Sequence, residues 1–427
     1  MHPILRSRSG STTTPAPIQT WTARLPEDIV YQIIDDHLSF DLPTLKSLCL
    51  TSAALGLHCR KFVFRSIELG TLRANSDEAK PKKSQTARFA ALLKQSPEIA
   101  GFVHELEISA FPKQQDLPSF LERLSFLDSI NEGKALISIL SRRFKSLREV
   151  RLENKSTKWD DIPLVVQYEI LRLFGNHRLQ TVVIALRSFP TVLLEHLRGN
   201  LQIALCGELY KGSCLSPLGP DPGARATITG LKICHVPDRS MLTLVGSDGP
   251  PPVDFSGSKG VSLFLGRLPA FSVGCHRLVQ ACRQELEFLN FDVDLWDYAV
   301  PVDLWSFPSL EGMNISVETA SLDLVLEWLS KSLEAVNTNE SKAGGLSQIA
   351  LSIYTHDLPD DDTAETHQRM WAEASKKQDQ WPGLNSVEIR GFSQPVNPEN
   401  GILYLTCLGS YKDGGHVDGE DDEHHHH

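Results

Sequence analysis

The chain has 427 residues, 41% of them hydrophobic and 22% charged, and a formal net charge of −11; it is too long for one small core, and its composition is that of an ordinary globular protein. Residues 412–427 hold one lysine against six acids and so carry −5 of that charge, which leaves the rest only mildly acidic. That balance argues against nucleic acid as the main partner, because a phosphate-binding face needs clustered Lys and Arg, and no apolar run reaches the roughly 18 residues that would span a bilayer.

Residues 1–22 lack the apolar run of a secretion signal and read as a disordered leader, with Arg6 and Arg8 only faintly like a transit peptide. From Leu25 to Leu69 the chain is a dense helical block. Leu25-Pro26-Glu27-Asp28 is a helix start, with proline in the first turn and two acids at the positive end of the helix dipole. Ile29, Ile33, Ile34 and Leu38 follow at helical spacing. Asp41 is an N-cap for a second helix carrying Leu45, Leu48 and Cys49, and Ala53 to Phe64 form a third helical segment. The block holds more apolar side chains than a unit of this size can bury by itself.

This order of segments resembles the F-box, the three-helix module that docks on the SKP-family adaptor of cullin-based ubiquitin ligases, in the divergent form seen in many fungal chains. The resemblance covers residues 23–70, about a tenth of the sequence. It implies that Leu25, Pro26, Ile29, Ile33, Leu38, Leu45, Leu48 and Thr51 face the adaptor, and through it a cullin. The chain departs from the common pattern at Thr51-Ser52-Ala53-Ala54-Leu55, where many F-boxes carry a basic residue followed by an aromatic. On leucine spacing alone, the same helices would serve equally as an N-terminal cap on the rest of the molecule.

Residues 71–100 read as a linker with Lys80, Lys82 and Lys83, followed by a helix from about Gln85 to Lys94. Beyond residue 101, strand-like pieces with apolar first, fourth and sixth places recur eight times, beginning at Val103, Leu147, Leu179, Ile228, Leu286, Leu310, Leu346 and Leu384. Chance alone gives such triplets at roughly 7% of starting points in so apolar a chain. Context makes these eight informative: several emerge from turn-like segments, and amphipathic stretches at Asp161–Gly175 and Glu318–Ala335 lie between them. Strand, helix, strand in succession predicts an α/β fold with a parallel sheet.

The series is similar to an irregular leucine-rich repeat, which implies a βα solenoid over residues 101–411 with a curved parallel sheet that grips another protein. A doubly wound α/β domain is the competing fold. The starts are 24 to 58 residues apart against a usual period of about 20–29, which either long coils with inserted helices or one or two missed repeats would explain. Ser213–Ala226 and Asp238–Gly260, rich in Pro, Gly and Ser, are expected to be exposed loops, the second disordered.

Little in the sequence meets the demands of catalysis, and no enzyme, cofactor or metal site is expected. Gly257-Ser258-Lys259-Gly260 has the wrong order for a phosphate-cradling loop, and no G-x-S-x-G, H-E-x-x-H or G-x-G-x-x-G motif is present. Cys234-His235 cannot easily share one ion if it lies on a strand, where neighbours point to opposite faces. The eight cysteines form no CxxC pair, so reduced thiols in a cytoplasmic or nuclear protein are expected. Trp296 and Trp305, in the doubled sequence Val-Asp-Leu-Trp, are candidate partner anchors, or else plugs packed on the repeat core. The closing acidic and histidine-rich tail, 412–427, reads as a disordered segment or the remnant of a purification tag.

Overall fold

The structure, a computed structural model, describes residues 25–70, 84–111, 129–212, 225–247, 249–266, 272–293, 304–318, 322–334, 346, 348–354 and 386–392. The leader, the connector at 71–83, Trp296, most of the loop after Ser213 and the tail lie outside the described residues. The chain divides into two compact units at Val63/Phe64, seven residues before the end of the F-box-like stretch.

In the first unit, α1 (Glu27–Ile33) runs into a π-helical turn at Ile34–Leu38, followed by α2 (Leu42–Leu48) and α3 (Ala53–Val63). The caps follow from the sequence. Pro26 stands at the head of α1, and Asp41 caps α2 by accepting from the Thr44 backbone N–H at 3.2 Å and its hydroxyl at 2.6 Å. Among the described residues of this unit, Ile34, Leu45 and Cys59 are the fully buried hydrophobics, with Val30, Leu38, Leu48, Leu55 and Phe62 packed round them. Asp35 ties the π-helical turn to α3 through His58, 2.7 Å away, on whose ring Tyr31 of α1 stacks at 4.2 Å.

The second unit is α/β and is built on one sheet of eleven strands, all parallel. They are β1 (Ser66–Leu69), β2 (Glu105–Ile108), β3 (Glu149–Lys158), β4 (Thr181–Pro190), β5 (Asn200–Tyr210) and β6 (Thr227–Cys234). After these come β7 (Gly260–Gly266), β8 (Phe288–Val293), β9 (Gly312–Glu318), β10 (Gln348–Tyr354) and β11 (Ser386–Phe392). Each strand pairs only with its predecessor and successor in the chain, so the order never reverses. A doubly wound sheet needs such a reversal at its switch point, and that alternative is thereby removed. The arrangement is solenoid-like.

The helices are α4 (Gln85–Gln95), α5 (Ser129–Leu140), α6 (Leu164–Phe174), α7 (Val192–Glu195), α8 (Asp238–Leu244), α9 (Val273–Ala281) and α10 (Leu322–Glu334). Their apolar faces join one face of the sheet in a single core. Two register rows supply the sheet's half: Leu106, Val150, Val182, Ile203, Leu231, Val261, Leu289, Met313 and Ile349, and two residues on, Ile108 through Leu351. Phe89, Leu93, Ile139, Val166, Ile170, Leu278 and Leu329 close over them from the helices. The alternating row between them is absent from this core, as the pleat requires when only one face is covered.

All eight strand-like pieces read in the sequence lie in this register, and three strands escape that reading. β1 continues from Phe64 with Ile67 and Leu69 and so places residues 64–70 in the sheet unit, where α4 also packs. β5 and β7 have Asn200 and Ser258 in the first place. They divide the 49-residue interval from Leu179 to Ile228 into 21 and 28, and the 58-residue interval from Ile228 to Leu286 into 30 and 28. The stretch Asp238–Gly260 is not a disordered loop: it opens with α8, and Val253 and Phe255 are buried on either side of Asp254, which bridges to Thr227.

Candidate interaction surfaces

Two surfaces stand out, one in each unit. The first is apolar. Of the adaptor-facing residues expected from the sequence, Leu25 (62% exposed), Pro26, Ile29, Ile33 and Thr51 lie on the surface, and Leu38 and Leu48 are half-buried. Leu45 does not belong to that set. At 1% exposure it fills the centre of the three-helix core beside Ile34 and Cys59, because the second helix turns this face of its stripe inward.

The set implied by the resemblance also omits four exposed residues: Phe40 and Leu50, 90% and 89% exposed, with Leu42 and Leu57. Phe40 and Leu50 flank α2 in turns, where helical periodicity gives no signal, so only composition could have drawn attention to them. Ile29 and Ile33, four apart on α1, share a helix face with the preceding Leu25. With seven exposed large hydrophobics and three fully buried ones among its described residues, the unit presents more apolar surface than its own core accounts for.

The second surface is the sheet face away from the helices. Its central row runs Glu68, Glu107, Arg151, Val183, Ala204, Lys232, Ser262, Asn290, Asn314, Ala350 in neighbouring register. Its chemistry changes along the sheet. At β1–β3, Glu68, Glu105, Glu107, Glu149 and Glu153 surround Arg151, which binds Glu149 through Nε and Glu153 through Nη1 at 3.0 Å. Burial pushes the Glu107 carboxyl up to about 7, and the charges of Glu153 and Glu68 push it the same way against Arg151. Further on, Val183 and Ala204 make a small apolar floor, and Lys232, 5% exposed, lays its ammonium 4.5 Å from the centre of the Phe264 ring. Burial pushes that ammonium down. Asn290 Nδ2 donates to Ser262 Oγ at 3.2 Å.

Cys234, the last residue of β6, is buried, and His235, just past the strand at φ +52, is exposed. Burial pushes the thiols of Cys234 and Cys282 up to about 12, which keeps them protonated and poorly nucleophilic. Among the described residues no group of three or more His, Cys, Asp or Glu is placed to hold a metal, and no helix is long and apolar enough to cross a membrane. Trp305 lies in a 3₁₀ turn, Leu304–Ser306, between β8 and β9, and its partner in the sequence doubling, Trp296, is outside the described residues. Comparisons with protein-family models, with curated proteins and with solved structures found no match.

Proposed function

We propose that this chain is a non-catalytic substrate receptor of a cullin-type ubiquitin ligase. Its three-helix unit would act as an F-box-like module that docks an SKP-family adaptor, and its sheet unit, as a leucine-rich-repeat-like solenoid, would bind the protein to be modified. Bond-making then belongs to partner subunits, and the chain raises the local concentration of target near them. The observation that carries the reading is the exposed apolar set that follows the Leu-Pro start: Leu25, Ile29, Ile33, Phe40, Leu42, Leu50 and Leu57. Phe40 and Leu50 are almost fully open and the other five are part-covered, so completing their burial contributes about 1–2 kcal/mol each, and the set together about 7 kcal/mol or more before the cost of association.

The sheet unit supports the second half of the reading. Its strands follow in chain order, one face is sealed by helices, and the other presents a graded row of acids, small apolar residues and amides. Co-expression of the full chain with an SKP-family adaptor tests the proposal. A complex should elute as one species and should be lost in a Leu25→Asp, Ile29→Asp double variant, whose exposed positions leave folding intact. Failure to co-elute, or equal recovery of the double variant, would overturn it.

A further inference from the structure

The N-terminal edge of the sheet, where the chain turns into β2 to β5, holds a cleft of about 700 Å³ that the surfaces above do not include. Its wall follows from the ladder. The His104 N–H donates to the Arg65 carbonyl at 2.8 Å, the Arg148 N–H to the His104 carbonyl at 2.8 Å, and the Gln180 N–H to the Arg148 carbonyl at 2.7 Å. Arg65, His104, Arg148 and Gln180 are therefore stacked along the edge about one strand spacing, roughly 4.8 Å, apart. Lys145 and Arg178 join from the turns before β3 and β4, and Arg178 Nη1 donates to the Lys145 carbonyl at 2.8 Å, fixing one turn on the next. His177 lies beside them. Gly199 lines the far end with φ +85, and a Cβ there would stand 3.1 Å from the His177 carbonyl oxygen, so this corner is built on a glycine.

The charge of this cleft runs against that of the chain. Three permanent cations, Lys145, Arg148 and Arg178, and two imidazoles line it, with no carboxylate among the lining residues, in a protein of net charge −11. Glu105 and Glu149, the acids that follow His104 and Arg148 in the chain, lie on β2 and β3 and belong to the sheet face, where Glu149 is taken up by Arg151. Lys145, Arg148 and Arg178 are exposed, and none forms a salt bridge among the described residues. Cations held close together without counter-charges repel one another, and a ligand that neutralises them recovers that energy. Asn200 and Gln180 add side-chain amides suited to a peptide backbone.

We propose that this edge cleft docks an acidic peptide segment of a partner protein, with Lys145, Arg148 and Arg178 pairing with its carboxylates. The proposal rests on the sheet unit being the target-binding part of the chain and gives that target a chemistry. It does not involve the adaptor, so the two readings fail separately.

The test is fluorescence anisotropy of the full chain, without adaptor, against a labelled hexaglutamate peptide. Binding should weaken about tenfold between about 50 and about 300 mM salt, as expected for exposed ion pairs. The Lys145→Glu, Arg148→Glu variant, which removes no side-chain hydrogen bond, should bind at least about tenfold more weakly, whereas Lys94→Glu on α4 should bind as the parent does. Tighter binding of the same peptide with phosphoserine in place of glutamate would support the site and make phosphate its preferred anion. Absence of salt-sensitive binding, or equal binding by the double variant, would overturn the proposal. So would a single-stranded oligonucleotide of the same charge that bound more tightly than either peptide.

Discussion

Glu107 sits in the middle of the acidic end of the sheet face, and its replacement by glutamine should stabilise the protein in a way that depends on pH. Its carboxyl is half-buried, between the register neighbours Glu68 and Arg151 and near Glu153, and titrates at about 7 instead of 4.5. The folded chain thus holds the acid form more tightly than the unfolded chain does. Below pH 4.5 both forms are protonated and the carboxyl costs nothing; as pH rises through 4.5 toward 7 the unfolded chain releases its proton first, and above 7 the full cost is in place. A shift of this size corresponds to at most about 3 kcal/mol, and since water still reaches the group, about 1.5 kcal/mol is the expected effect. Urea denaturation followed by circular dichroism, at pH 8 and pH 4.5, reads it directly. Glu107→Gln should be more stable than the parent by about 1.5 kcal/mol at the higher pH and by only a few tenths at the lower. An equal gain at both pH values, or none at pH 8, would refute the account of the acidic cluster.

Leu45→Ala should cost about 2–5 kcal/mol and melt the three-helix unit, while Ile29→Ala, at an exposed site on the same unit, should change stability by no more than about 0.5 kcal/mol; helical circular dichroism separates the two. Gly207→Ala should cost about 2 kcal/mol or more in thermal denaturation. At φ +116, beside the register shift between β4 and β5, its added Cβ would stand 1.8 Å from the Leu186 carbonyl oxygen. With a thiol raised to about 12, only about one Cys282 in ten thousand is ionised at pH 8, so a thiol reagent should label it only after denaturation.

What could be read from the sequence follows the difference between inward and outward residues. Inward positions must be apolar and evenly spaced, so Val150, Leu152, Val182 and Ile184 announce themselves, and the parallel sheet follows. The reading fails where the structure fills an apolar slot by other means. Ser258 occupies the first place of the β7 motif, fully buried, with its hydroxyl donated to the Ile228 carbonyl at 2.9 Å. In β5 a one-residue register shift lets Leu201 fill the slot that Asn200 vacates. β1 fits the pattern, but its Phe64 follows the third helix without a break and reads as its last residue.

Surfaces are harder to read because nothing periodic constrains them. The F-box resemblance pointed to Leu25, Ile29 and Ile33, which are exposed, and to Leu45, which is buried, whereas Phe40 and Leu50 lie in turns where no helical stripe draws attention to them. The edge cleft was invisible for a further reason. Arg65, His104, Lys145, Arg148 and Arg178 are scattered over more than a hundred positions, and only the repeated return of the chain to one edge gathers them.

The unbroken succession of strands also bears on how the protein is made. Every strand leans on the one synthesised just before it and on the one that follows, and none must wait for a distant segment to close a sheet. A nascent chain leaving the ribosome can therefore lay down its layers one at a time, each new turn finding a finished template. A lesion at one strand should accordingly halt assembly at that point and leave the earlier layers standing.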